Sequence, residues 1–321
     1  MWIANNWKDY QVLDTSNGEK LEKWGEYVLV RPDPQVIWDT PKELPEWKHP
    51  NAHYHRSSKG GGEWEFFNLP NEWQIGYGKL RFNLKPFSFK HTGLFPEQAV
   101  NWDWMSEVIR KRLINNKAAK AATTASAEVP GNQTTEVPGR EAADVPASRP
   151  KILNLFAYTG GATLACVAAG AHVTHVDASK GMVGWAKENA ASSALPEKSF
   201  RWIVDDCVKF VQREIRRGNR YDAIIMDPPS YGRGPGGEVW KIEESIYPLI
   251  MLCSELLSDD ALFFLINSYT TGLQPGVLTH MIKTAIAKDR GGTVCADEIG
   301  LPIEGTDLSL PCGASGRWLA G

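Results

Sequence analysis

The chain has 321 residues, 42% of them hydrophobic, enough to fill the core of one large α/β domain and a smaller companion. Its 35 Lys and Arg against 38 Asp and Glu give a net charge of −3, which excludes a polycation that coats nucleic acid and leaves local basic patches as the route to such a partner. Five cysteines (Cys166, Cys207, Cys253, Cys295, Cys312) without a C-x-x-C pair exclude a zinc ribbon and a disulfide frame, so no metal site is indicated and the thiols read as reduced.

The start, Met1-Trp-Ile-Ala-Asn-Asn-Trp-Lys-Asp9, lacks a basic-then-apolar leader, and no apolar run approaches the roughly 18 residues that span a bilayer. A cytoplasmic protein without a membrane partner is therefore expected. Of the 13 tryptophans, nine fall in residues 1–104, where Pro and Gly separate short runs such as Tyr27–Val30, Val36–Trp38 and Leu80–Leu84. Short aromatic strands between turn residues predict a small β-rich domain over residues 1–100. His49, His53 and His55 lack acid or thiol partners at ligand spacing and read as loop residues. Phe87 to Gln98 mixes aromatics with Lys90, His91 and Gln98, a composition that suits an inter-domain linker, a cofactor cover or a base-stacking surface.

Trp104, Val108, Ile109 and Ile114 recur roughly at helical spacing and predict a linking helix over 101–115, with Asn101 as its cap. Residues 116–150 have no aromatics and a degenerate repeat in Glu128-Val-Pro-Gly, Glu136-Val-Pro-Gly and Asp144-Val-Pro-Ala, which predicts a disordered low-complexity insertion. From Lys151 onward strands and helices alternate. Strands are expected at Lys151–Ala157, His172–Asp177, Arg201–Val204, Tyr221–Asp227 and Leu262–Asn267. Helices are expected at Ala162–Ala169, Lys180–Ala194, Cys207–Arg217, Glu243–Leu257 and Val277–Lys288. This alternation predicts an α/β, Rossmann-like, mostly parallel sheet over 151–321, closed by an antiparallel edge strand from Thr293–Ile299 and Leu308–Leu319. Ligands of such sheets sit at the carboxyl ends of the strands, where each motif falls.

Asn154-Leu-Phe-Ala-Tyr-Thr-Gly-Gly161 is a strand breaking into a glycine turn, which lets a backbone come close to a ligand. The nicotinamide pattern G-x-G-x-x-G is absent, which disfavours an oxidoreductase on the same fold. Asp177, with Ala178 and Ser179, ends the next strand, where a carboxylate serves either as a helix cap or as acceptor for ribose hydroxyls. Asp205-Asp206-Cys207 follows the third strand, with Asp206 favoured for an adenine amine and Asp205 as the cap. In Asp227-Pro-Pro-Ser230 two prolines fix φ and remove two N–H donors, so the carboxylate and its neighbouring carbonyl aim at one point. The Gly232–Gly237 stretch reads as a mobile lid, and Arg233 and Lys241 read either as phosphate contacts or as residues of an ordinary exposed loop.

At these motifs the chain resembles class I methyltransferases related to the bacterial large-subunit ribosomal RNA methyltransferases of the cytosine-C5 and guanine-N7 branches. His91-Thr-Gly-Leu-Phe-Pro-Glu-Gln98 is similar to that group's segment preceding the catalytic domain. The resemblance implies S-adenosylmethionine as cofactor. Asn154, Phe156, Ala157, Tyr158, Gly160 and Gly161 would then surround its methionine part, Asp177 the ribose and Asp206 the adenine, with Thr92 and Gln98 helping to enclose it. It also implies an RNA substrate, ribosomal by analogy. The cytosine-C5 branch attacks its base with a cysteine after the fifth strand, where this chain reads Asn267-Ser-Tyr-Thr-Thr-Gly272, so covalent addition is unsupported. Direct transfer to a base nitrogen near Asp227 and Ser230 is expected, the alternatives being a small-molecule or protein acceptor and a silent scaffold.

Overall fold

The computed structural model describes residues 1–57, 61–87, 90–127, 149–233 and 239–321. Eight strands precede the first long helix: β1 (Trp2–Ile3), β2 (Tyr10–Ser16), β3 (Glu19–Trp24), β4 (Tyr27–Pro32), β5 (Ala52–Arg56), β6 (Gly62–Phe66), β7 (Trp73–Tyr77) and β8 (Leu80–Leu84). β2 to β6 pair in sequence order as one sheet, and β7 and β8 form a hairpin. Val36–Trp38, expected as a strand, is not one. The Val36 and Trp38 carbonyls instead accept the N–H groups of Gly18 and Asn17 at 2.9 and 2.8 Å, so this segment straps the β2–β3 turn. His53 and His55 lie on β5 rather than in a loop, and each meets a carboxylate, Glu19 at 2.6 Å and Glu65 at 2.8 Å.

The linking helix α1 (Ala99–Ala127) starts earlier and runs further than its sequence suggests. Its buried face is Trp102, Met105 and Ile109, while Ile114 is 64% exposed. Asn101 lies inside the helix, fully buried, and does not cap it. The expected insertion thus begins as helix, and residues 128–148 lie outside the described residues.

The alternating half gives β9 (Lys151–Leu155), α2 (Gly161–Ala168), β10 (His172–Asp177), α3 (Lys180–Ser192), β11 (Phe200–Val204) and α4 (Cys207–Arg216). It continues through β12 (Ala223–Met226), the small ribbon β13 (Tyr231–Arg233) and β14 (Val239–Lys241), α5 (Ile242–Leu256), β15 (Phe263–Ser268) and α6 (Pro275–Ile282). One π-helical turn (Lys283–Ala287) and a short α7 (Lys288–Arg290) lead to β16 (Thr293–Pro302) and β17 (Ser309–Leu319). The main sheet has the order β1-β16-β17-β15-β12-β9-β10-β11. All its pairs are parallel except those of β17, which runs antiparallel to β15 and β16. That strand is not at the edge as expected. The short turn 303–308 folds it back as a hairpin on β16, and β1 from the chain's start extends the sheet beyond.

Strand side chains alternate between two cores, which is why these strands read as continuous apolar runs. Ile152, Val173, Ala223, Ile225, Phe263 and Leu265 face the layer built by α1, α2 and the N-terminal strands. Leu153, Leu155, Ile224, Met226, Phe264 and Ile266 face the layer of α4, α5 and α6. The first core also holds Tyr10, Trp24, Leu29 and Phe82, so apolar packing runs without a break across the expected division near residue 100. Among the described residues no helix is long and apolar enough to cross a membrane, and no group of three His, Cys, Asp or Glu is placed to hold a metal.

Candidate functional site

β9 stops at Leu155 because Phe156 (φ 54°) and Tyr158 (φ 50°) take left-handed conformations, as does Gly160 (φ 91°). Non-glycine residues in this region cost of order 1–3 kcal/mol and persist where the surroundings over-determine them. Here the carboxylate of Asp177 accepts the Tyr158 N–H at 2.9 Å, and the Cys207 thiol accepts the Phe156 N–H at 3.3 Å. The two glycines have different reasons. Gly160 supplies the left-handed N-cap of α2, whereas a Cβ on Gly161 would stand 2.6 Å from the Trp102 ring. Gly161 therefore serves the seating of α1 on α2, not the ligand approach alone. Asn154 is buried with its amide donating to Thr163 at 2.8 Å.

Asp177, at the tip of β10, bridges two turns: its second oxygen accepts the Ser179 N–H at 2.8 Å. Burial pushes its carboxyl up, against the pull of those two N–H groups. Ser179 caps α3 through Met182, and Ala178 and Ser179 are exposed beside it. At the next tip the capping expectation reverses. Asp206 is the N-cap of α4, accepting the Lys209 N–H at 2.8 Å, while Asp205 accepts the Asp206 N–H and pairs with Arg213. Asp206 has extended φ and ψ, the conformation in which a short carboxylate reaches the third N–H of a helix. The two tips are joined where the Asp205 N–H donates to the Asp177 carbonyl at 3.1 Å.

The Asp227-Pro-Pro corner follows β12. Pro228 is buried, and the Pro229 carbonyl accepts the Trp240 indole N–H at 2.6 Å. Ser230 is exposed and shares a hydrogen bond of 2.5 Å with Thr270, tying the corner to the loop after β15. Among the described residues the Asp227 carboxylate has no hydrogen-bond partner. Burial, and then the charge of Glu97, push it up to about 7. Glu97 is itself buried and raised, chiefly by burial. Most of the expected lid lies outside the described residues, and Lys241 pairs with Glu244 at 2.8 Å.

The segment after Lys90 closes over the glycine turn. Thr159 donates to the Gly93 carbonyl at 2.6 Å, and Gln98 donates to the Tyr269 hydroxyl at 2.6 Å. The Phe95 ring lies 5.3 Å from Tyr158 and 5.8 Å from Tyr269. Asn154, Phe156, Ala157, Tyr158, Gly161, Gln98 and Asp227 share one narrow cavity of about 50 Å³, with Phe95, Trp102, Thr159 and Asn267 also in its wall. Asp177, Ser179, Asp205, Asp206 and Cys207 are outside that wall, on the next two strand tips of the same sheet edge. Thr92 is buried behind it. Sequence reading left out Trp102, Tyr269 and Trp240. Tyr269 lies in the stretch after β15, and only the fold turns it against Gln98. His91 has its imidazole pushed down to about 3, first by burial and then by Arg31, which removes it as a base.

These groups suit a nucleoside bearing a charged, hydroxyl-rich ligand part. The Tyr158 and Thr92 hydroxyls are buried without a hydrogen-bond partner, and orphaned polar atoms of that kind mark a place for a ligand or water. Two carboxylates at adjacent tips keep free lone pairs for hydroxyl and amine donors. The profile of S-adenosylmethionine-dependent methyltransferases matches residues 137–267. Stretches of 83 and 124 residues are 37% and 29% identical to the ribosomal RNA large subunit methyltransferases K/L of Shewanella sp. (strain MR-4) and K of Neisseria meningitidis serogroup B. They cover 25% and 38% of this chain but only 12% and 35% of those proteins. The SAM-dependent methyltransferase from Agrobacterium tumefaciens superposes with a TM-score of 0.81 at 33% identity, over 97% of this chain and 90% of that one. A likeness that runs nearly end to end, over a glycine turn and acidic strand tips of this arrangement, means that the chain belongs to the S-adenosylmethionine-dependent methyltransferase family.

Proposed function

We propose that the chain methylates a nitrogen of an RNA base, ribosomal RNA first among targets, by direct transfer. The observation that carries this reading is Asp227. It is an unpartnered carboxylate, raised to about 7, on a proline-fixed corner in the same cavity wall as the strained glycine turn. Bound S-adenosylmethionine supplies an electrophilic methyl group. Asp177 would hold the ribose hydroxyls and the free oxygen of Asp206 the adenine amine. The turn from Asn154 to Gly161 would hold the methionine part, with Thr92 and Gln98 behind it.

Transfer to a nitrogen needs alignment with the methyl group and an acceptor for the amine proton. Asp227 is suited to that proton, since an acceptor works best when its pKa lies near the working pH. Pro228 and Pro229 fix its direction, and Ser230, tied to Thr270, borders the entrance. Phe95, Tyr158 and Tyr269 offer aromatic faces to a planar base. Covalent addition lacks its nucleophile: Asn267 stands in the fifth-strand position, and Cys312, within electrostatic reach of Glu97, has its thiol pushed well up by burial.

The names of the two partial relatives support RNA as substrate. A small-molecule or protein acceptor is favoured by a different observation. Of the seven basic residues that would form an RNA-binding face (Lys79, Arg81, Lys85, Lys90, Arg213, Arg216 and Arg217), Lys85 pairs with Glu72, Arg213 with Asp205 and Arg217 with Glu214, while Lys90 donates to the Pro32 carbonyl and Arg81 to those of Gly78 and Leu80. Transfer of a radiolabelled methyl group to total RNA, total protein and a metabolite extract decides between them. Label in RNA is expected, and label confined to protein or metabolites would overturn the reading.

A further inference from the structure

A second hollow among the described residues lies away from the cofactor edge. It lies at the opposite end of the parallel strands, at the starts of β9, β10, β11 and the segment entering β12, and its volume is about 670 Å³. Strands of four to six residues at about 3.3 Å each put it roughly 13–20 Å from the glycine turn. Four cations line it: Arg149, Lys151, Arg201 and Arg220.

The wall has one carboxylate, Glu214, and it is already fully engaged. Glu214 is buried and accepts from Tyr221 at 2.6 Å, Asn219 at 2.8 Å, Arg201 at 3.1 Å and Arg217 at 3.2 Å. Arg149 is fixed by the Gly170 and Ala171 carbonyls and by Ser199, so its charge is held at the rim and not neutralised there. Lys151 and Arg220 are exposed, and neither is in an ion pair among the described residues. The wall carries +4 from these cations and −1 from Glu214, a local +3 in a chain of net −3. His172, also in the wall, reports that field: burial first, then Arg149, Lys151 and Arg201, push its imidazole down.

We propose that this hollow binds phosphate groups, either those of an RNA strand or those of a free phosphate ester. Guanidinium groups match phosphate oxygens in bidentate geometry, and a pre-fixed cluster pays little ordering entropy on binding. Two of the four cations, Arg149 and Arg201, are held in place by the hydrogen bonds given above. Nothing in methyl transfer uses these residues, so the site is separate from the reaction centre. The RNA source rests on the acceptor proposed above, and the free phosphate source does not.

The test uses the whole chain and the variant Lys151→Ala/Arg220→Ala, whose two side chains are exposed and outside the cofactor edge. Thermal unfolding and S-adenosylmethionine affinity, expected to be unchanged, show that the variant is folded. The first arm titrates single-stranded oligouridylate over a salt series. Wild type should bind with a salt slope steeper by about 1.4 than the variant, from two lost phosphate contacts at about 0.7 each on a single strand. The second arm titrates inorganic pyrophosphate, with at least a tenfold affinity loss expected in the variant if a free ester is the ligand. Loss in either arm supports the site and identifies its source. Equal binding by wild type and variant in both arms overturns it. Failure of RNA methylation with pyrophosphate binding intact would sink the acceptor assignment and leave the hollow standing.

Discussion

At the scale of single residues the assignment turns on carboxylates that differ in environment. Asp227 is raised to about 7 by burial and Glu97, and its ionised form is the one that accepts a proton. Methyl transfer should therefore rise with pH through about 7 and level off above it. Asp227→Asn should lower kcat by roughly 10²–10⁴ and flatten that profile, read from initial rates between pH 5.5 and 9. A variant that keeps the wild-type profile would remove Asp227 from proton transfer. Asp177 does different work: two backbone N–H groups hold it at the β10 tip. Asp177→Ala should weaken S-adenosylmethionine binding by about 10–100-fold, from hydrogen bonds to a charged group of about 1.5–3 kcal/mol, while Asp227→Ala leaves that binding nearly intact. Equal losses by calorimetry would contradict the division of roles. Both aspartates were legible in the sequence because each follows an apolar run and precedes a turn. The value of Asp227 was not, because its burial, the larger cause, and the nearby charge of Glu97, far away in sequence, both arise only through the fold.

At the scale of elements the helix termini carry the most information. Sequence could not decide which of two consecutive aspartates caps α4, since both fit the pattern and only backbone dihedrals separate them. With Asp206 as cap, the two possible roles of its carboxylate can be measured apart. Asn is as good a cap as Asp, so Asp206→Asn should keep the unfolding midpoint, whereas Asp206→Ala should cost about 1 kcal/mol. If the second carboxylate oxygen also accepts the adenine amine, Asp206→Asn should nonetheless lose cofactor affinity, because its amide presents N–H to an amine. Unchanged affinity in the folded Asn variant would assign Asp206 to the cap only. The periodicity of α1 gave the helix but not its buried side. Ile114 fits the spacing yet lies 64% exposed, while Trp102 and Met105 make the contact with α2. Gly161→Ala would drive a Cβ to 2.6 Å from the Trp102 ring and should lower stability by about 1–3 kcal/mol in denaturant unfolding.

At the scale of the whole molecule two layers of apolar side chains sandwich one sheet, and buried ionisable groups inside them set how the fold answers to pH. The parallel core followed from alternating apolar runs, but the strand order did not. The interior place of β17 and the addition of β1 did not either, because β17 inserts against β15 from beyond α6 and β1 joins β16 from the far end of the chain, pairings that no local pattern encodes. Glu22 is fully buried, and although burial raises it, Arg31 and Lys20 outweigh that and hold it at about 2, below its ordinary 4.5. The unfolded chain therefore binds the extra proton between about 4.5 and 2, and this part of the stability is lost as pH falls through that window. His91 and His175 are both pushed to about 3 from 6.5, chiefly by burial, so the unfolded chain again binds more protons, two of them, between about 6.5 and 3. Asp227 acts in the opposite sense, since the folded chain holds its proton from 3.8 up to about 7. Of the groups with a stated value, two protons favour unfolding and one favours folding near pH 5.5, so stability should rise with pH there. Asp227→Asn removes the opposing term. Its unfolding free energy, measured in urea from pH 5 to 6.5, should climb with pH more steeply than wild type by one proton, about 1.4 kcal/mol per pH unit at most. A slope in the variant equal to or shallower than wild type would mean that Asp227 is ionised in the folded protein throughout that range, and the proton-acceptor role at neutral pH would lose its physical basis.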